Sequence, residues 1–442
     1  MKTQSGNDDL RLLRELAPSS PKRNALPSSG DWYGYYAGYA DNFVADIVAA
    51  LPGHAEMVLD PWNGSGTTTA VATAASLSSR GFDLNPAAVI IAKARLLRSD
   101  VAGSIASLSD EILASVPDDP PQVEDSDLLL TWFAPTSASH IRALERRTFQ
   151  LLVPVEENER AIACTDSFSA LAALFYLALF RLSRTLIAPF LGSNPTWIRR
   201  AVPPRNRLRP SRDTIHTLFR RSTTALTTLA EASSQSYPES CCPCSVAVGT
   251  SADLPLESNS VDAVITSPPY CTRIDYVVAT LPELAILGLR PSDIKPLRDS
   301  MIGTPTIPNS DQESAFLSTS PTATALLARI SSHESKASNG YYRKFFEGYL
   351  QGLDASLAEV GRVIRPASPV IFVVQDSYYK ELHIDLASII SEIAEAHHLS
   401  RVADHNFEVV ARRNYATINP RSRVYRSSTP AIESVLIMAG DD

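Results

Sequence analysis

Five consecutive residues, Thr266-Ser267-Pro268-Pro269-Tyr270, bring together groups suited to handling an amine. Two prolines at the end of an apolar run fix the backbone and remove two N–H donors. Nearby carbonyl oxygens are then left without a local donor competing for them. A serine hydroxyl and a proline carbonyl both accept hydrogen bonds, so an amino group held between them has its lone pair fixed in direction. The chemistry this suits is a direct in-line transfer to the nitrogen, driven by positioning and electrostatics. Tyr270 adds a flat face on which a planar ring can stack. Taken alone, the same residues also fit a Pro-rich turn after a buried strand.

A second motif, VLDPWNGSGTTT from Val58 to Thr69, narrows the reading. An apolar strand ends at Asp60, Gly64 and Gly66 let the backbone turn tightly, and a helix starts at Thr67 or Thr68. An α/β sheet holds a ligand in this way, at the carboxyl end of its first strand. The spacing departs from the GxGxxG fingerprint and no Walker lysine follows, so NAD and ATP are poor fits. Asp83 ends the next apolar run, GFDLN, about twenty residues past the turn, where an acid can accept from ribose hydroxyls. Its alternative role is the N-cap of a helix opening at Pro86. Asp253, in GTSADLP, follows a third strand and either accepts from an adenine amino group or is an ordinary turn aspartate.

The elements that must position these residues follow a strand–helix–strand–helix order. A helix through YYAGYADNFVADIVAAL leads to a strand at Met57–Leu59, a small-residue helix TTTAVATAAS, the GFDLN strand, and a helix with Pro86 in its first turn. This order predicts a parallel α/β sheet. Residues 101–244 show long helical patterns without strand alternation and read as a mostly helical insertion. The α/β pattern resumes with SVAVGTSADLP and SVDAVITSPPY, then a helix DYVVATLPELAILG. A polar Ser/Thr/Pro-rich stretch, 290–338, reads as a smaller insertion. A helix from Tyr341 to Ile364, the strand PVIFVVQDS, a helix LASIISEIAEAHHL, the strand FEVVA, an arginine-rich loop and a last strand ESVLIMAG complete the chain. Residues 1–30 read as a flexible leader, which leaves 31–100 plus 245–442 as the discontinuous main domain.

With both motifs on one sheet, the chain resembles the S-adenosylmethionine-dependent DNA amino-methyltransferases: DPWNGSGTT is similar to their motif I and TSPPY to their motif IV. The resemblance implies a Rossmann-like class I methyltransferase sheet, mostly parallel with an antiparallel last strand. It implies methyl transfer from S-adenosylmethionine to a flipped DNA base. The serine variant of the tetrapeptide is typical of cytosine-N4 enzymes, and adenine-N6 transfer is the alternative, as is an RNA or protein amine on the same fold. Ser267, Pro268, Pro269 and Tyr270 carry over as the catalytic tetrapeptide. Asp60, Pro61, Asn63, Gly64, Gly66, Thr67 and Asp83 carry over as the cofactor site, and Asp253 is placed with them. YYAGYADNFVADIV is similar to motif X, which places Tyr36, Tyr39 or Phe43 near the methionine end of the cofactor. Cys271 follows Tyr270 and not a proline, so a covalent cysteine mechanism is not expected. The setting implied is restriction-modification or phage defence, with a cognate nuclease as a possible partner.

The chain of 442 residues has a formal net charge of −8, which argues against wholesale coating of nucleic acid but leaves room for local basic surfaces. Two segments break the acidic average. Eight arginines fall between Arg199 and Arg221 with Asp213 the only acid, and Trp197 lies beside them. Here Trp197, Arg199, Arg200, Arg205, Arg207 and Arg209 are candidate DNA contacts, since a guanidinium fork suits phosphates and guanine edges. The second segment, VVARRNYATINPRSRVYR, offers Arg412, Arg413, Asn414 and Tyr415 on a hairpin connection expected at the active-site edge. Residues 101–244 are the candidate target-recognition region. Arg273 and Asp275 form either a structural ion pair or a substrate contact. Five cysteines do not make a disulfide framework. The SCCPCS cluster of Cys241, Cys242 and Cys244 lacks a fourth ligand nearby, so no metal is expected. The most apolar stretch, Ala170 to Phe180, is interrupted by Arg181 and Arg184 and is too short to span a bilayer, so a cytoplasmic location is expected.

Overall fold

The structure, a computed structural model, describes residues 10–21, 32–34, 38–154, 159–192, 197–232, 242–272, 274–304, 319–409 and 431–441. A short helix α1 (Arg11–Glu15) and helix α2 (Asp41–Ala49) precede strand β1 (Met57–Asp60), helix α3 (Thr67–Ala74), strand β2 (Ser78–Asp83) and helix α4 (Pro86–Arg95). Four helices follow, α5 (Ile105–Ser115), α6 (Pro135–Leu152), α7 (Ala170–Leu186) and α8 (Arg212–Ala232), before strands β3 (Cys244–Val248) and β4 (Ala263–Thr266). Then come α9 (Tyr276–Ala279), α10 (Leu281–Ile286), α11 (Pro291–Ser300), α12 (Pro321–Ser332) and α13 (Arg343–Val363). Strands β5 (Pro369–Gln375), β6 (Ser377–Tyr379) and β7 (Leu382–Ile384), helix α14 (Leu386–Ala396), and the long strands β8 (Leu399–Val409) and β9 (Ala431–Gly440) end the chain.

Seven strands make one sheet in the order β3-β2-β1-β4-β5-β9-β8. The five on the β3 side pair in parallel, and β9 runs antiparallel to both β5 and β8. This is the Rossmann-like sheet expected, with its antiparallel last strand β9 set between β5 and the edge strand β8. Strand order reverses between β1 and β4, and a crevice opens outside the carboxyl ends of strands at such a switch point. The central strands form readily because a parallel strand covered on both faces is an apolar run. Val264, Val370 and Phe372 pack with Leu350, Leu357 and Val360 of α13 on one face. On the other, Val58, Ile265 and Ile371 pack with Phe43 and Ile47 of α2 and with Val71 of α3.

Between positions 101 and 243 the regular elements of the described residues are helices, as expected, but they are not a lobe apart. Ile90 and Ile91 of α4 and Leu284 and Ile286 of α10 share a continuous core with Leu174, Leu177 and Phe180 of α7. Three other expectations change. The leader carries α1, whose Leu13 is fully buried against the sheet, so part of it is ordered. The polar stretch 290–338 holds two helices, α11 and α12, each opened by a proline in its first turn where the missing N–H costs nothing. The single helix expected from Asp275 to Gly288 is two, α9 and α10, broken at Thr280 just before Pro282.

Candidate active site

At the switch point lies a cleft of about 950 Å³, counted with its open mouth. Its walls come from the glycine turn after β1, the end of β2, the turn after β3 and the tetrapeptide after β4. Asp60, Pro61, Asn63, Gly64, Thr67 and Asp83 line it together with Ser267, Pro268, Pro269 and Tyr270. The two motifs therefore face one space.

The turn is built by backbone freedom that only glycine supplies cheaply. Gly64 and Gly66 both have positive φ, +49° and +80°. A Cβ on Gly66 would stand 2.6 Å from the Cβ of Ala92, so α4 can cross there only against a bare backbone. Gly66 itself caps α3 and is not part of the cleft wall. Asp83 locks the turn to β2. Its Oδ2 accepts from the Gly64 N–H at 2.9 Å and its Oδ1 from the Asn85 N–H at 2.8 Å. Burial lifts its carboxyl to about 6, against the pull of those two amides. The N-cap of α4 is Asn85 and not Asp83, since the Asn85 side chain accepts from the Ala87 N–H.

Asp60 has a different task. It is buried, and burial raises its carboxyl against donors from Thr266, Thr68, Tyr39 and the Trp62 backbone. Thr266 Oγ1 donates to Asp60 Oδ1 at 2.6 Å and Tyr39 OH to Asp60 Oδ2 at 2.9 Å. A single carboxylate thus ties β1 to the residue before Ser267 and to the motif X segment. Tyr39 lines the cleft, while Phe43 is fully buried beneath it, edge-on to the Tyr39 ring. Tyr36 lies outside the described residues.

The tetrapeptide is held from two further elements. Tyr349 of α13 donates its phenol to the Pro269 carbonyl at 2.7 Å. Tyr270 OH donates to Glu433 Oε1 of β9 at 3.4 Å, and burial together with that carboxylate keeps the phenol protonated. With the Pro269 carbonyl occupied, the Pro268 carbonyl has no partner among the described residues, and the Ser267 hydroxyl, hydrogen-bonded to Tyr270, keeps lone-pair capacity to accept from a ligand.

Several cleft residues carried no signal in the sequence: Trp62, Ser251, Tyr276, Met301 and Ile302. Asn85 did, because a capping residue directly before a proline at the first helical position is a helix-start pattern. Asp253 is exposed and stands outside the lining, and Gly249 and Ser251 of the same turn take that wall. Asp275 pairs with Arg298 at 2.7 Å, and Arg273 lies outside the described residues. So do Arg412, Arg413, Asn414 and Tyr415, although the ends of their hairpin, Val409 and Ala431, pair beside Glu433 at the cleft end of the sheet. Among the other arginines, Arg199, Arg200, Arg205 and Arg209 are exposed, and Trp197 is 69% exposed. Among the described residues no group of three or more His, Cys, Asp or Glu side chains is placed to hold a metal, and no helix is long and apolar enough to cross a membrane.

Fold and cleft together define a doubly wound α/β protein with its ligand crevice at the switch point. No protein-family profile matches the chain. Over 149 residues it is 30% identical to the Type II methyltransferase M.AvaI of Nostoc sp. and to that of Anabaena variabilis, a stretch covering 31% of this chain and 31% of each relative. It is 47% identical over 47 residues to the Type II methyltransferase M.BsoBI of Geobacillus stearothermophilus, 11% of this chain and 9% of that one. The likeness thus spans about a third of the first two relatives' length, or 31%. Among solved structures the cyclase SpnF aligns over 98% of this chain and 94% of its own at a TM-score of 0.31 and 11% identity, too distant to carry an argument.

Proposed function

We propose that this chain is a site-specific DNA methyltransferase that moves a methyl group from S-adenosylmethionine to N4 of a cytosine drawn out of the helix. The observation that carries the reading is the single cleft, lined on one side by the Gly64 turn and on the other by Ser267 to Tyr270. The naming of its relatives as Type II methyltransferases supports a restriction-modification setting with DNA as substrate.

The cofactor half of the cleft suits a nucleoside with a charged tail. Asp83 presents an ionisable carboxylate anchored by two amides, suited to accept from sugar hydroxyls. Asn63 is buried on the cleft wall, where its Oδ1 accepts from Thr69 and its amide packs over Gly81 of β2, so it fixes the shape of the turn that holds the ligand. Tyr39 and Thr67 complete this wall. S-adenosylmethionine would supply an electrophilic methyl group on a sulfonium.

The chain's own contribution is orientation. Ser267 Oγ and the Pro268 carbonyl accept the two amino hydrogens, which holds the nitrogen lone pair toward the cofactor half. With the amine so held, its lone pair would displace the thioether from the donated methyl group, the carbon–sulfur bond breaking as the carbon–nitrogen bond forms, and the resulting cation would lose one amino proton to solvent. Tyr270 stacks on the base, its ring held by Glu433 and its backbone by the Tyr349 clamp on Pro269. Little covalent chemistry is asked of the protein, so positioning and electrostatics supply the rate.

Incubation with isotopically labelled S-adenosylmethionine and unmethylated plasmid DNA, followed by nucleoside mass spectrometry, tests the reading. N4-methylcytosine is the expected product. N6-methyladenine alone overturns the choice of base, and label that enters RNA or protein but not DNA overturns the choice of substrate.

A further inference from the structure

The helical insertion delivers an arginine-rich loop from the wall of the cleft. In the last turn of α7, Arg184 donates to the Ala279 carbonyl and pairs with the buried Glu283 at 2.5 Å. The neighbouring Thr280 accepts from Asn85 Nδ2 at 2.9 Å, and Asn85 lines the cleft. From there the chain passes to Leu191, which pairs with Ile198 in an antiparallel bridge. Seven residues separate Arg184 from Leu191, a reach of at most about 25 Å. That is the length of about seven base pairs of duplex, so the loop lies within reach of DNA whose base occupies the cleft.

The loop's backbone is anchored while two of its apolar side chains are not. Trp132 Nε1 donates to the Arg199 carbonyl at 2.9 Å, the Ala201 N–H to Thr131 at 3.1 Å, and the Leu208 N–H to Trp132 at 2.8 Å. Ile198 and Ala201 are buried. Yet Trp197 and Val202 are 69% and 73% exposed. A tryptophan carries about 150–250 Å² of surface that gains from burial, so a fixed scaffold displaying one calls for an occupant.

Charge identifies that occupant. Among the described residues Arg199, Arg200, Arg205, Arg207 and Arg209 have no carboxylate partner, whereas Arg212 and Arg220 on α8 are paired with Asp118 and Asp110, each at 2.9 Å. A chain of net charge −8 thus carries, on the same segment as an exposed indole, five arginines with no carboxylate partner among the described residues. Cations around an apolar wedge match a polyanion with a stack of flat rings at its centre.

We propose that this loop grips duplex DNA beside the extruded nucleotide, with Trp197 entering the base stack to fill the gap and the arginines holding the flanking phosphates. The proposal rests on the methyltransferase reading of the cleft. Duplex opening is then the step that needs Trp197, and single strands do not need it.

Methyl incorporation into unmethylated plasmid DNA, native and heat-denatured, separates these cases. Trp197→Ala is expected to lower incorporation into native plasmid by about tenfold or more, in line with the loss of one base–aromatic stack. Incorporation into the denatured plasmid should stay within about twofold of wild type. Trp197→Phe, which keeps a flat ring able to stack, should restore much of the loss on native plasmid. Equal losses on both DNAs, no loss on either, or a Trp197→Phe variant as impaired as Trp197→Ala overturns the role of Trp197 while leaving the cleft reading intact. A wild-type chain that transfers no methyl to either DNA overturns the cleft reading and this proposal with it.

Discussion

Replacing Asp83 by Asn separates the structural work of this carboxylate from its proposed work on the cofactor. Each Asp83 oxygen accepts one backbone N–H, from Gly64 at 2.9 Å and from Asn85 at 2.8 Å. An asparagine keeps one acceptor and turns an NH₂ toward the other amide, which costs about 1–3 kcal/mol. An opposing term comes from charge. A carboxyl lifted by burial from 3.8 to about 6 costs the folded state about 3 kcal/mol at neutral pH, at about 1.4 kcal/mol per pH unit, and a neutral amide escapes that cost. The two terms nearly cancel, so the free variant should melt within a few degrees of wild type. Cofactor affinity has no such offset. Losing a charge-assisted hydrogen bond from a sugar hydroxyl is worth about 1.5–3 kcal/mol, or about 10- to 150-fold in Kd.

The pH dependence has a definite sign. Between pH 3.8 and about 6 the folded state still holds a proton that the unfolded chain has released, so stability falls through that window and levels off above it. Cofactor binding, which favours the ionised form, should strengthen as pH rises through about 6 and level above it, while Asp83→Asn should bind weakly and with little pH dependence. Titration calorimetry with S-adenosylmethionine from about pH 5 to 8, alongside thermal melts of the free protein, reads both quantities. A variant affinity within about twofold of wild type at neutral pH refutes the assignment, because a lost charged acceptor predicts at least about tenfold. A wild-type affinity that does not change across pH 6 refutes it equally.

Ser267→Ala should lower kcat for DNA methylation by about a hundredfold, the scale set by losing one aimed hydrogen-bond group. Calorimetry should show its cofactor Kd unchanged. Tyr349→Phe leaves the Pro269 carbonyl without its phenol partner; kcat should fall by about fivefold or more with KM for DNA and cofactor Kd held, and a matching rise in KM would show general misfolding of the cleft instead. Gly66→Ala must place a side chain at φ +80° and 2.6 Å from Ala92 Cβ, so urea unfolding should show a loss of about 2–5 kcal/mol.

The parts of the site legible in sequence were those fixed by neighbours along the chain. β1, β4 and β5 are apolar runs because both their faces are covered, and the turn chemistry at Gly64, Gly66 and the diproline is local. What depends on distant partners was not legible. Tyr349 reaches Pro269 across 80 positions and Glu433 reaches Tyr270 across 163, and nothing near either residue announces the contact. Asp253 illustrates the limit within one turn. Its N–H donates to the Thr250 carbonyl at 3.4 Å, which curls the chain so that Ser251 faces the cleft and Asp253 faces solvent. Arg212 and Arg220 belong to the same basic run as Arg205 and Arg209, and only the fold brings Asp118 and Asp110 to neutralise them.

That the insertion shares a core with the segment after the tetrapeptide has a mechanical consequence. Glu283 is wholly buried and holds both Arg184 of α7 and Tyr33, while Arg142 of α6 donates to the carbonyls of Ala285 and Ile286 at 2.6 and 2.7 Å. Breaking a buried ion pair by removing one partner costs about 3–5 kcal/mol. The helix pair that places Tyr276 on the cleft wall is therefore clamped to α6 and α7. The Arg184–Glu283 pair thus couples the end of α7 to that wall. In the proposed function, DNA contact at the loop would therefore bear on the Tyr276 wall of the cleft through these clamps, and a wall held this way suits a reaction that depends on positioning.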